Sequence, residues 1–375
     1  MLTFLIICQT RIREFHTCIR SAQRRADELM CGGGCAPPQA ILDCFGAAPL
    51  VRGVAPWFQL GLAGRSETFR TSGGKAGRET TVLALGLKME VINPQPYDRE
   101  LSVALELARE AGAAILNLYE GPLDIQQKAD ADDREPVTQA DKLANEIIVE
   151  RLRQEFPDDG ILAEESIDTS HRLDKSRVWM IDPLDGTTGF IDGNGDFAVQ
   201  IGLTESGECV LGVVYLPLTG VLYRAVRGRG TWIERPDCEV EKVRVSDNRE
   251  ISTMRLAASR SHRSPRMDKV VQAFGLKEEV RRGSVGIKVG LIVEQQCDLY
   301  IHLSPRTKQW DTCAPEIILR EAGGCLTDLF GRPLRYNKED LQNRNGIVAS
   351  NGVAHTRIIE SLQRLLVQFG RLPVE

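Results

Sequence analysis

Residues 178–190 read Val-Trp-Met-Ile-Asp-Pro-Leu-Asp-Gly-Thr-Thr-Gly-Phe. An apolar run with the character of a buried strand stops at two carboxylates, Asp182 and Asp185. Gly186 and two hydroxyls, Thr187 and Thr188, follow at once. Acids delivered at a strand end are hard oxygen donors, the kind that hold Mg²⁺. The same residues also suit a tight turn, because Asp, Pro and Gly each favour one. Other acids along the chain offer what a metal site still lacks: Asp141, Glu164 beside Glu165, and Asp311. Each has a purely structural alternative. Asp141 follows Thr138 at capping-box spacing, Glu164 is a solvated strand end, and Asp311 is the N-cap of the helix after it. Spacing alone leaves both readings open.

The elements that must position these acids begin at Asp98. Leu101, Leu105, Ala108, Ala111, Ile115 and Leu118 recur at three and four residues, which predicts an amphipathic helix capped by Asp98 and ended by Gly121-Pro122. A polar loop opens at Lys128. A second helix runs to about Glu155 with Leu143, Ile147 and Leu152 inward. Residues 161–166 form a short strand ending in Glu164-Glu165-Ser166. A β-rich middle follows, with strands at 197–203, 209–216 and 221–226, the last two joined by the turn Pro217-Leu-Thr-Gly220. Gly228-Arg-Gly230 is a tight loop and not a phosphate loop, since no Gly-Lys-Ser/Thr follows. Beyond residue 254 strands and helices alternate, with helices expected near 268–274, 284–296, 310–322 and 353–366. That alternation gives an α/β (α+β) protein with helices packed on a parallel or mixed sheet.

The 375 residues are 42% hydrophobic and 26% charged, ordinary for a globular protein long enough for a large core. A formal charge of −5 argues against coating a nucleic-acid polymer but leaves room for a small anionic ligand at a local cluster of bases. No apolar stretch reaches membrane-spanning length. Of ten cysteines, half fall within the first 44 residues; Cys31 and Cys35 flank three glycines, but no second pair at zinc-site spacing follows. They read as reduced thiols of a cytoplasmic protein. Residues 1–88 are rich in Gly, Arg, Ala and Cys without a sustained period. They are taken as a poorly ordered extension, with Met89 a candidate start. Residues 89–245 form a metal-binding sub-domain and 246–375 a substrate-binding one.

Glu164-Glu165-Ser166, Asp182-Pro-Leu-Asp-Gly-Thr187, and Trp310-Asp311 followed by Ala314 and Gly323-Gly324 resemble the signatures of the inositol monophosphatase superfamily. The match runs in order from about Asp98 to the C-terminus. The resemblance implies a layered αβαβα sandwich, an antiparallel sheet first and a mixed sheet second, and Mg²⁺-dependent phosphomonoesterase activity with two or three ions per site. By the same resemblance the metal ligands are Glu164, Asp182, the Leu184 carbonyl, Asp185 and Asp311. Thr187 with Asp141 orients the attacking water, helped by Glu164. The backbone at Gly186, Thr187 and Thr188 faces the phosphate, and Lys128 and Glu165 lie near a metal. Two ions roughly 3.5–4 Å apart suit such chemistry.

Within the superfamily, Trp310-Asp311-Thr312-Cys313-Ala314-Pro315-Glu316, Ser259-Arg260-Ser261-His262 and Ser284 with Lys288 resemble 3′(2′),5′-bisphosphate nucleotidases. This implies that Arg260, His262, Ser284, Lys288 and Asp311 bind substrate, the bases serving a second phosphate. The alternative is an Arg260–His262 surface loop with Lys288 snorkelling from its helix. The expected reaction turns adenosine 3′,5′-bisphosphate into AMP and phosphate, clearing a by-product of sulfate assimilation. Thr188-Gly189-Phe190 lies closer to the inositol phosphatase pattern, which keeps an inositol or related sugar phosphate as a second reading. A catalytically silent metal- or nucleotide-binding regulator is a third. The expected partner is a small phosphorylated metabolite, with no nucleic-acid polymer and no membrane, and the chain is a monomer or homodimer.

Overall fold

The computed structural model describes residues 58–69, 80–91, 95–119, 121, 125–127, 136–260 and 263–374. Contacts divide the chain into two units, residues 1–95 and 96–375. In the first, β1 (Phe58–Phe69) pairs antiparallel with β2 (Thr80–Val91), Phe58 opposite Val91. No strand period is read from this stretch by composition. Yet Leu83, Leu85, Leu87, Met89 and Val91 alternate, the signature of a strand. β2 also crosses the division drawn at residue 88.

The second unit carries α1 (Asp98–Tyr119), β3 (Ile125–Gln127), β4 (Pro136–Thr138), α2 (Gln139–Glu155), β5 (Gly160–Ala163), β6 (Arg177–Asp185), α3 (Thr187–Ile191), β7 (Ala198–Glu205) and β8 (Glu208–Leu216). Then come β9 (Val221–Val226), β10 (Gly230–Glu234), β11 (Glu241–Val243), β12 (Arg255–Ser259), α4 (Pro265–Phe274), β13 (Glu278–Arg282), α5 (Val285–Val293) and β14 (Leu299–His302). The last elements are α6 (Gln309–Glu321), β15 (Cys325–Thr327), β16 (Ile347–Ser350) and α7 (His355–Gln368). Strands β11-β10-β9-β8-β7-β6-β5 make one sheet and β13-β12-β14-β16-β15 another. The first is antiparallel except for the parallel β5/β6 pair. The second mixes parallel β12/β13 and β12/β14 with antiparallel β14/β16 and β15/β16.

Three apolar clusters follow from this stacking. One lies between α1 and α2 and the first sheet, one between the sheets around α5 and α6, and one between the second sheet and α4 and α7. The order is therefore α, β, α, β, α. Two local expectations shift. Asp98 is the first helical residue and pairs with Arg229 at 2.7 Å. The inward face of α2 is Ala144, Ile148 and Leu152, while Leu143 is exposed, because the helix starts after Thr138 and turns that face toward α1 and β6. Among the described residues no helix is long and apolar enough to cross a membrane.

The central helix α6 lies directly on the first sheet. Gly202 of β7 and Gly212 of β8 stand opposite each other. A Cβ at Gly202 would come within 2.6 Å of Cys313 Sγ, and one at Gly212 within 2.7 Å of the Ala314 carbonyl oxygen and 2.9 Å of Ala314 Cα. The bare backbone of two paired strands is thus the seat of the helix that carries Asp311. Gly212→Val is expected to lower the unfolding free energy by about 1–3 kcal/mol through overpacking. Urea denaturation reads it, and an unchanged midpoint would show that the helix has slack.

Candidate active site

The parallel pairing of β5 with β6 is what sets the first acid. Gly160–Ala163 runs beside Val178–Ile181, and one further bond, Glu164 N–H to the Ile181 carbonyl (3.1 Å), carries the register to the end of the strand. Glu164 therefore sits beside Asp182, just past β5 in a turn, not within the strand. Asp182 is buried and its Oδ1 accepts the Leu184 N–H at 3.1 Å. Asp311 arrives from α6. It is the third residue of that helix and not its N-cap: Lys308 holds the cap position, and Asp311 Oδ2 reaches back to the Lys308 N–H at 2.8 Å. Ligand oxygens of Glu164, Asp182 and Asp311 all lie within 4.8 Å of one another.

Carboxylates so close repel, and burial adds to the cost. Burial holds the Asp182 carboxyl well above the usual range, and Glu164, Asp185 and Asp311 push it further the same way. Asp185 stands behind the trio. Its Oδ2 accepts from Gln200 Nε2 (2.6 Å), Ser284 Oγ (2.5 Å) and the Gly286 N–H (3.0 Å). Burial raises its pKa, and the Ser284 and Gly286 donors work against that rise. Glu165 is adjacent to Glu164 in the turn but outside the three-acid group.

After Asp185 the chain turns at Gly186, whose φ of 104° lies in the left-handed region. A Cβ there would meet the Asp196 carbonyl oxygen at 2.3 Å, so glycine is required twice over. The turn aims Thr187 back at α2. Thr187 Oγ1 donates to Asp141 Oδ1 at 2.9 Å and lies 3.4 Å from the Leu184 carbonyl oxygen. Asp141 Oδ2 meanwhile accepts from the Thr138 N–H (2.7 Å) and Thr138 Oγ1 (2.6 Å). The cap reading and the pairing with Thr187 are both satisfied, one by each carboxylate oxygen. Thr188 is exposed.

The remaining expected residues divide. Arg260 Nε donates to buried Asp196 at 2.7 Å. Ser284 spends its hydroxyl on Asp185 and accepts the Ile287 N–H (3.1 Å) at the start of α5. Lys288 does not snorkel: it is buried, bonded to the Gly283 carbonyl, with Nζ 4.9 Å from the Tyr300 ring centre. Burial pushes its ammonium down to about 8, although Asp185, Asp196 and Asp311 favour the charged form. Lys128 and His262 lie outside the described residues. Gln200 and Asp196 are not singled out by sequence reasoning. The signal for Gln200 is a polar residue inside the apolar run of β7.

The donor set consists of three carboxylates, with no thiol or imidazole in the group. That chemistry fits a hard divalent cation of the Mg²⁺ class. Recesses of about 200 Å³, lined by Arg224, Arg229 and Trp232, and about 430 Å³, lined by Asn248, Arg255 and Asp298, share no residue with the acids.

A stability consequence follows from the buried charge. A carboxyl whose pKa is raised on folding keeps its proton more tightly in the folded chain, so stability is greatest at low pH and falls as pH rises through the folded pKa. In chelator, Asp182→Asn keeps the oxygen that accepts the Leu184 N–H and removes the charge. It is expected to stabilise the metal-free protein by about 1–3 kcal/mol at pH 8 and by less at pH 5. Thermal or urea unfolding at the two pH values measures this; a destabilised variant at pH 8 would contradict it.

Known proteins resemble this chain in sequence and fold. The 3′(2′),5′-bisphosphate nucleotidase CysQ of Escherichia coli K12 is 38% identical over 244 residues, 64% of this chain and 95% of that protein. The crystal structure of CysQ from Bacteroides thetaiotaomicron, a bacterial member of the inositol monophosphatase family, superposes with a TM-score of 0.58 at 33% identity, over 68% of this chain and 98% of that one. The Thermotoga maritima IMPase gives 0.61 at 26% identity, over 72% and 100%. The family match itself spans residues 97–366, from the start of α1 into α7, and the chain belongs to the inositol monophosphatase family.

Proposed function

We propose that this phosphatase is a Mg²⁺-dependent nucleotidase that hydrolyses the 3′-phosphate of adenosine 3′,5′-bisphosphate to give AMP and phosphate. The observation that carries the chemistry is the convergence of Glu164, Asp182 and Asp311 within 4.8 Å beside the Thr187–Asp141 pair. Glu164, Asp182, the Leu184 carbonyl, Asp185 and Asp311 would hold the cations. Bound Mg²⁺ supplies neutralisation of the phosphate charge and a more acidic water.

The chain's own groups do the rest. Asp141 accepts the hydrogen bond of the Thr187 hydroxyl, so the Thr187 oxygen presents its lone pairs outward and accepts an O–H of the attacking water, fixing its direction. The half-buried turn at Gly186–Thr188 receives the scissile phosphate. Arg260 and buried Lys288 supply positive charge on the other side of Asp185. The nucleotide substrate is favoured by the similarity to CysQ nucleotidases and by the Arg260 and Lys288 cations. Five described cysteines are free thiols, which supports a cytoplasmic setting. The similarity to an IMPase supports the second reading, an inositol or sugar phosphatase on the same scaffold.

Two measurements test these readings. Full-length protein with Mg²⁺ is expected to show higher kcat/KM on adenosine 3′,5′-bisphosphate than on inositol 1-phosphate, with activity lost in chelator and restored by Mg²⁺. The reverse preference would transfer the assignment to the inositol phosphatases. Thr187→Ala is expected to lower kcat by about 10²–10⁴ with little change in KM, and Thr187→Ser to recover most of it. Equal loss in both variants would remove the hydroxyl from the mechanism.

A further inference from the structure

Asp196 has no role in the chemistry above, yet its carboxylate and its backbone both bind several neighbours beside the site. Its side chain is 5% exposed. Oδ2 accepts from Arg260 Nε at 2.7 Å and from the Gly283 N–H at 2.8 Å, and Oδ1 lies 3.9 Å from Arg282 Nε. Its own N–H donates to Asn194 Oδ1 at 3.0 Å. Its backbone carbonyl is packed against both Gly186 and Gly189, where added Cβ atoms would lie 2.3 and 2.5 Å away. One residue thus spans the turn that follows Asp185 and the segment from Arg260 to Gly283. Ser284, next in sequence, holds Asp185 itself.

The charges around it are unequal. Two guanidiniums face one carboxylate, and their side chains remain 40% and 44% exposed. Two nearby acids are engaged by other bases: Glu279 by Arg263 at 3.0 Å and Arg281 at 3.7 Å, and Asp268 by Arg263 at 2.7 Å. Arg260 makes one more weak contact, Nη2 to the Arg281 carbonyl at 3.5 Å. A guanidinium carries five N–H donors, so most of both forks stay open toward solvent among the described residues. A pair held at its Nε edge and open at its tips suits an anion with several oxygens, above all a phosphate.

We propose that Asp196 is a positioning residue that fixes Arg260 and Arg282 as a two-arginine clamp for the second, uncleaved phosphate of the substrate. This deepens the nucleotidase reading and rests on it. The scissile phosphate sits at the Gly186 turn, and the Asp196 backbone and carboxylate set the offset between that turn and the clamp. Selectivity for a bisphosphate over a monophosphate then resides in Arg282 as much as in Arg260.

The test compares full-length parent, Arg282→Ala, Arg282→Lys and Asp196→Asn with Mg²⁺ on adenosine 3′,5′-bisphosphate and adenosine 3′-monophosphate. The parent is expected to prefer the bisphosphate. In Arg282→Ala the ratio of kcat/KM on the bisphosphate to that on the monophosphate is expected to fall about tenfold or more, chiefly through KM. Arg282→Lys recovers part of the ratio, and Asp196→Asn lowers it in the same direction. Should the parent prefer the bisphosphate while Arg282→Ala leaves the ratio unchanged, the clamp is wrong and the nucleotidase reading stands. A parent with no preference for the bisphosphate overturns both. The Arg282 variants carry the decision if Asp196→Asn fails to fold, because Arg282 is at the surface.

Discussion

The structure depends on holding like charges together. Glu164, Asp182 and Asp311 come from three separate segments and meet within 4.8 Å, with Asp185 close behind. Nothing in their mutual electrostatics favours that meeting, so the surrounding backbone must supply it. It does so with ordinary hydrogen bonds. The β5/β6 register fixes Glu164, the Leu184 N–H fixes Asp182, and the Lys308 N–H fixes Asp311. For Asp182 and Asp311 one carboxylate oxygen takes a backbone donor. The repulsion in a site built this way is of the kind that a divalent cation would offset.

The same division of labour recurs one layer out. Asp141 uses one oxygen as a helix cap and the other to orient Thr187. Asp185 gathers Gln200, Ser284 and the Gly286 N–H on a single oxygen. Lys288 adds a buried positive charge, and its ammonium, pushed down to about 8 by burial, is kept from falling further by Asp185, Asp196 and Asp311. These contacts are more than packing. Each removes rotational freedom from a group that would otherwise swing away from its neighbours.

Much of this was legible in sequence because it is local. Thr138 and Asp141 are three residues apart, and their cap formed as the spacing predicts. Acids at the end of β6 and just past β5 followed from apolar runs that stop abruptly. What escaped was set by tertiary contact. Asp311 looks like an N-cap, but Lys308 already has the extended backbone of a cap, so the helix begins earlier. Strand β13 reads Glu-Glu-Val-Arg-Arg, which no propensity marks as β, and it forms because it pairs with β12 at the sheet edge. Leu143 has the right chemistry for a core position and is exposed, since the smaller Ala144 faces inward on α2. The opposition of Gly202 and Gly212 is a property of two strands and a helix together.

That glycine seat explains why the chemistry can be both rigid and selective. Helices α5 and α6 fill the layer between the two sheets and pack on each other. Helix α6 begins at the acid cluster with Asp311, and α5 begins at Ser284, which bonds Asp185. Both helices therefore present their first turns to the same carboxylates. The first sheet fixes α6 through direct backbone contact, while the second sheet supplies Arg260 and Arg282 from neighbouring strand ends. A shift of the second sheet would move the arginines with Gly283 and Ser284 but leave Asp182 and Glu164 on the first.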